Sequence, residues 1–147
     1  MINELPKLYA RDLDKLSTEI LSYKSDAVFW KVDEEIKNSG GNLSIHIVGN
    51  LNHFIGAVLG NSGYIRERDK EFGSKNVPRK QIIDEIKTLK SVVVEVFSTL
   101  TKKDLEKIYP IPVFGEEMTT AYFLMHLFGH LNYHLGQINY HRRLLDR

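Results

Sequence analysis

The chain has 147 residues, 42% of them hydrophobic and 27% charged, with 20 Lys plus Arg against 19 Asp plus Glu and a formal charge of +1. That length and balance suit a single globular domain over residues 1–147, and the near-neutral charge argues against nucleic acid or a membrane surface as partner. There is no cysteine, which excludes disulfides, Cys-rich zinc modules and a catalytic thiolate. The N-terminal MINELPKLYARDLDK is charged early and lacks a signal-type apolar core. No apolar run reaches the roughly 18 residues of a membrane span. A cytoplasmic, all-α protein is expected.

The first predicted helix runs from about Leu5 to Lys24, with Leu13, Leu16, Ile20 and Tyr23 at three- and four-residue spacing. The stretch SDAVFWKVDEEIKNSGG reads as a connection with a short helical turn, tucked onto the body by Phe29 and Trp30. A second helix is predicted from Asn42, read as the N-cap, to about Leu59, with Leu43, Ile47, Leu51, Phe54 and Val58 inward. Gly60-Asn61-Ser62-Gly63 stops it, and a polar connection follows.

Pro78 opens the third helix, since its missing N–H is not needed in a first turn. That helix extends to about Leu100, with Ile82, Ile86, Leu89, Val93, Val96 and Leu100 inward. Val92–Val94 is β-branched, so a strand competes locally, but the surrounding periodicity favours helix. TKKDLEKIYPIPVFGEE, with Pro110, Pro112 and Gly115, reads as a loop with a brief extended piece. The last helix is predicted from Met118 to Leu145. Four amphipathic helices favour a bundle.

The six histidines are absent from the first forty-five residues. His46 and His53 fall on the second helix; His126, His130, His134 and His141 fall on the last. At about 100° per residue, His130, His141, His134 and Gln137 lie within about 80° of His126, beside the stripe of Leu127, Leu131, Leu135 and Ile138. A spacing of four puts His130 and His134 on one face, about 5–6 Å apart at Cβ, where both can ligate one ion. A third ligand must come from another helix, and His46, Asn50 and His53 share a line on the second. Neutral imidazole suits zinc, nickel, copper or iron(II). Three protein ligands with an open fourth position is the pattern of catalytic zinc. The bland alternative is that histidines at a stripe edge simply pack or hydrogen-bond. That reading is preferred for His53 and His141, and a structural role is preferred for His126.

HIVGNLNHFIGAVLG at 46–60 with RERDKEF at 66–72, and HLNYHLGQINYHRRLL at 130–145, resemble motifs of the DinB-like superfamily, in its uncharacterised branch. The resemblance covers roughly residues 40 to 145. It implies a four-helix bundle of up-up-down-down type and a three-histidine metal site. The ligands it implies are His46, at the head of H-x-x-G-N, and His130 and His134 in H-x-x-x-H-x-G-Q. Asn50, His126 and Gln137 become candidates for orienting the imidazoles. Arg66, Arg68 and Asp69 match a polar loop motif that either packs over a bundle end through Arg–carboxylate pairs, the preferred account, or binds an anionic substrate. Glu71 and Phe72 complete that motif, with Phe72 as an apolar anchor. Tyr64, Tyr133 and Tyr140 are read as core before cleft.

The implied cofactor is a divalent transition metal, zinc or nickel first, joined in some relatives by a low-molecular-weight thiol. Two function classes follow. One is an enzyme acting on a small-molecule substrate, either a metal-dependent hydrolase or a thiol S-transferase, in which any thiol must come from outside the chain. Glu116 and Glu117 precede the last helix, where they serve either the site's open end or the helix N-terminus. The other class is a non-enzymatic, metal-stabilised binding or stress-response module. The resemblance is also compatible with a homodimer.

Overall fold

The computed structural model describes residues 1–147 and is helical, without strands. Its elements are α1 (Leu5–Ser22), α2 (Asp26–Phe29), α3 (Gly40–Leu51, prolonged by a π-helical turn over Asn52–Ala57), α4 (Arg68–Gly73), α5 (Arg79–Thr99), α6 (Lys102–Glu106) and α7 (Thr120–Leu145). The four long helices are those expected from periodicity. Their inward residues, including Leu13, Leu16, Ile20, Ile47, Ile82, Leu89, Val93, Leu127 and Leu131, form one continuous buried core. Each fully buried aliphatic side chain contributes about 1.5–3 kcal/mol relative to exposure. No helix is long and apolar enough to cross a membrane.

α1 packs on α5 and α7, and α3 packs on the same two helices. The Tyr9 hydroxyl donates to the Leu124 carbonyl and the Tyr23 hydroxyl to that of Ile138, so α1 and α7 run in parallel. Asp14 meets Lys90, while Tyr9 meets Phe97, so α5 runs against α1. His46 meets His130 and His134, while Phe54 meets Phe123, so α3 runs against α7. The directions in chain order are therefore up, down, down, up. This corrects the up-up-down-down order implied by the resemblance. The connection between α3 and α5 is the crossover joining two parallel helices, and α4 lies within it.

Local chemistry adjusts the predicted boundaries. Ser39 caps α3, its hydroxyl accepting from the Asn42 N–H at 3.0 Å. Asn42, expected as the cap, lies inside the helix. Its side-chain amide donates to the Glu71 and Ser74 carbonyls and pins the crossover. Thr101 and Asp104 form a capping box that starts α6 within the expected loop. Thr119 caps α7 through the Tyr122 N–H. Phe29 and Trp30 are buried as expected. The stop after α3 uses left-handed backbone at Asn61 and at Gly63, where φ is +77°.

Candidate metal centre

α3 and α7 face each other with opposite directions, which sets His46 across from the His130–His134 pair. His46 Nε2 lies 3.2 Å from His130 Nε2, and His134 Nε2 lies 3.0 Å from the same atom. The candidate ligand atoms all lie within 4.8 Å of one another. His46 is buried, whereas His130 and His134 are half-buried at the edge of the bundle. Three nitrogens bound to one tetrahedral ion at 2.0–2.1 Å stand about 3.3 Å apart, close to the two distances here.

The outer nitrogens explain why the inner ones converge as they do. His46 Nδ1 donates to Glu71 Oε1 at 2.9 Å. His134 Nδ1 donates to Gln137 Oε1 at 2.7 Å. With those protons on Nδ1, the neutral rings of His46 and His134 turn Nε2 lone pairs toward His130 Nε2. One N–H on His130 can satisfy one of them and not both. A cation at the meeting point satisfies all three, so the donor set fits a divalent metal bound by neutral imidazoles. Burial, reinforced by the neighbouring histidines, pushes His130 down from the ordinary 6.5 to about 4. Burial likewise lowers His134, against the opposing effect of its hydrogen bond to Gln137. Both therefore stay in the ligand-competent form at neutral pH.

Glu71 is buried, and Arg66 holds it in a two-pronged pair, Nε to Oε2 and Nη2 to Oε1, both at 2.8 Å. Burial alone would raise the Glu71 carboxyl. Hydrogen bonds from Arg66 and His46 outweigh that and hold it below the usual carboxylate range. The carboxylate reaches His46 only because residue 49 is glycine: a Cβ there would overlap Glu71 Oε2. This is the physical reason for the glycine in H-x-x-G-N. Phe72 packs on the His46 ring at 4.8 Å between centroids, and Arg68 lies over Phe72 at 5.3 Å.

The other candidates are placed as follows. Asn50 is buried one turn beyond His46, with an unpartnered Oδ1. His126 is exposed and outside the ligand group. It sits 4.7 Å from the Phe114 ring, stacks on Phe123 at 5.9 Å, and is 6.4 Å from His130. His53 packs on Phe54 at 4.7 Å and also lies outside the group. His141 is buried and satisfied on both nitrogens, by Tyr23 at one and by the Lys31 carbonyl at the other. Asp69, Glu116 and Glu117 are exposed. Tyr64, Tyr133 and Tyr140 are exposed, not core. Of the three, Tyr133 flanks the site, its ring 5.2 Å from that of His134.

Sequence reasoning named Glu71 only as part of a motif and missed its bond to His46. The available signal was an acidic residue three positions after Arg68 in a charged connection, following a glycine-containing histidine motif. Nothing in that pattern says which cation or imidazole the carboxylate will meet.

The all-helical fold has the form of a DinB-like protein. The structure is similar to the crystal structure of a DinB-like protein from Bacillus cereus ATCC 10987, with a TM-score of 0.68 at 24% identity, covering 90% of this chain and 84% of that one. No curated protein matches the chain. The chain belongs to the DinB-like family described as Protein of unknown function (DUF1572), which it matches over residues 6–147.

Proposed function

We propose that this protein binds one divalent transition ion, zinc or nickel, through His46, His130 and His134, and that the site works as an open catalytic centre on a small-molecule substrate. The carrying observation is the convergence of three Nε2 atoms, two of them with tautomers fixed by Glu71 and Gln137. The ligand group contains three residues and no fourth protein donor, which favours the enzyme over a closed, purely structural site. When bound, the ion would lower the pKa of a water or of a small external thiol at the open position. Glu71 orients His46 and, through its negative charge, makes that imidazole a stronger donor. Phe72, from α4, packs against the same ring. Arg66 is engaged by Glu71, which supports its structural role over direct substrate binding.

The two chemistries are an S-transferase using a low-molecular-weight thiol and a hydrolase. Untagged protein should carry about one transition-metal ion per chain, measured by elemental analysis. His130→Ala should remove most of it. Metal-loaded protein is then assayed with thiol plus electrophile, and separately with esters and amides. Turnover in one assay and its loss in His130→Ala supports the enzyme. Bound metal with no turnover in either would favour a metal-stabilised binding module, and an unchanged metal content in His130→Ala would remove the triad.

A further inference from the structure

Each outer nitrogen of the cluster has an acceptor except that of His130. His46 Nδ1 has Glu71 and His134 Nδ1 has Gln137. The one hydrogen-bonding role found for the His130 ring is at Nε2, facing the other two imidazoles. The same region holds a complementary orphan, Asn50 Oδ1, a buried acceptor with no donor, on a residue only 7% exposed. It is the sole buried side-chain N or O atom of the molecule left without a partner.

Asn50 and His130 belong to the facing helices α3 and α7. Asn50 follows His46 by four residues, so it projects from the same face of α3 one turn further on. α3 and α7 run in opposite directions, with His46 set against His130 and His134 and Phe54 set against Phe123. Asn50 is midway between His46 and Phe54 and therefore stands opposite the turn of α7 that carries Leu127 and His130. An unpaired amide oxygen in a buried position is destabilising, and a state of the protein that gives it a donor is favoured by comparison.

We propose that Asn50 is the positioning residue for His130: in the metal-bound protein its Oδ1 accepts the His130 Nδ1–H and holds Nε2 toward the ion. This rests on the metal-binding reading above and completes it, giving each ligand its own acceptor: a carboxylate for His46, an exposed amide for His134 and a buried amide for His130. A ligand histidine almost always needs such a partner, and loss of one typically weakens metal affinity by about 10–100-fold.

The test is zinc affinity by chelator competition in the full chain, comparing wild type with Asn50→Leu and Asn50→Asp, alongside NMR of the 15N-labelled imidazoles. Asn50→Leu removes the acceptor at similar volume, so its affinity should fall about 10–100-fold. Its metal-free melting temperature should hold or rise, because the orphan is gone. Asn50→Asp restores an acceptor and should recover most of the affinity. In zinc-loaded wild type, His130 should show a slowly exchanging Nδ1–H that is lost in Asn50→Leu and shifted in Asn50→Asp. Equal affinity in wild type and Asn50→Leu, or an unchanged His130 Nδ1–H signal, overturns the assignment and leaves the metal site standing. Wild-type protein that binds no zinc overturns both, and that outcome is read directly from the first titration. Should Asn50→Leu fail to fold, Asn50→Ser, which shortens the side chain away from His130, carries the same expectations.

Discussion

His141 on α7 and His46 on α3 are about equally buried and have opposite chemistry. His141 spends both ring nitrogens locally, on Tyr23 and on the Lys31 carbonyl, and ties the end of α7 to the connection after α1. His46 spends one nitrogen on Glu71 and aims the other at two further imidazoles. Burial does not separate a structural histidine from a candidate ligand. What separates them is whether the second nitrogen is already paired with a protein group able to satisfy it.

Substitution sharpens that contrast most strongly at the ligands. His46→Ala should weaken metal binding at least about 100-fold, since a first ligand is lost outright. His141→Ala should leave metal affinity within about threefold while lowering stability by about 1–3 kcal/mol, as its buried partners lose a hydrogen bond. Paired calorimetric titrations and melts measure both. Equal losses of metal from the two variants would erase the distinction.

Next in size is Glu71→Ala, which leaves Arg66 facing a buried site without its carboxylate. Breaking such a pair costs about 3–5 kcal/mol in stability, and metal affinity should fall by about 10–100-fold. Glu71→Gln keeps an acceptor and should lose less of both. Denaturant melts of metal-free protein separate the two effects. A melt unchanged in Glu71→Ala would show that the Arg66 pair contributes nothing to the fold.

The pH response is shared by both regions. Burial is the leading cause that lowers His130, to about 4, and it also lowers His134 and His141. Each binds its proton more weakly folded than unfolded, so the unfolded chain takes up more protons below the ordinary 6.5. Stability of the metal-free protein should therefore be full above about pH 6.5 and fall as pH drops toward 4. His141→Ala and His130→Ala should each flatten part of that fall. A flat stability curve across the window would contradict the shifts. Gln137→Leu should be the mildest of all, a loss of less than about tenfold in metal affinity, because its bond to His134 is exposed.

Much of this was legible in the chain. The helical periods of Leu13–Ile20, Ile82–Val96 and Leu127–Ile138 name the core because packing and pattern agree there. His130 and His134 could be paired from spacing alone, while the choice of His46 over His53 needed the motif resemblance. Ser39 was missed as a cap because Gly40 and Gly41, poor helix formers in isolation, begin α3. Those glycines have a packing reason: a Cβ on Gly40 would press into Tyr23, and one on Gly41 into Trp30. The helix directions are absent from local pattern, because they depend on which face of each helix finds which neighbour. Tyr133 and Tyr140 sit at core-like spacing yet are exposed, since the core-facing arc of α7 is already filled by Leu127, Leu131, Leu135 and Ile138.

The support for His46 does not come from the bundle. Glu71 and Arg66 belong to the crossover, which is clamped to α3 where Gly49 admits the carboxylate and Asn42 binds the Glu71 and Ser74 carbonyls. If the histidine cluster holds the proposed ion, its occupancy and the docking of this segment form one linked equilibrium: whatever favours the ion then favours the docked crossover, by the same factor. Residues 64–77 would then report on the metal, and slower proteolysis or amide exchange there should register binding at a site that the segment itself does not ligate.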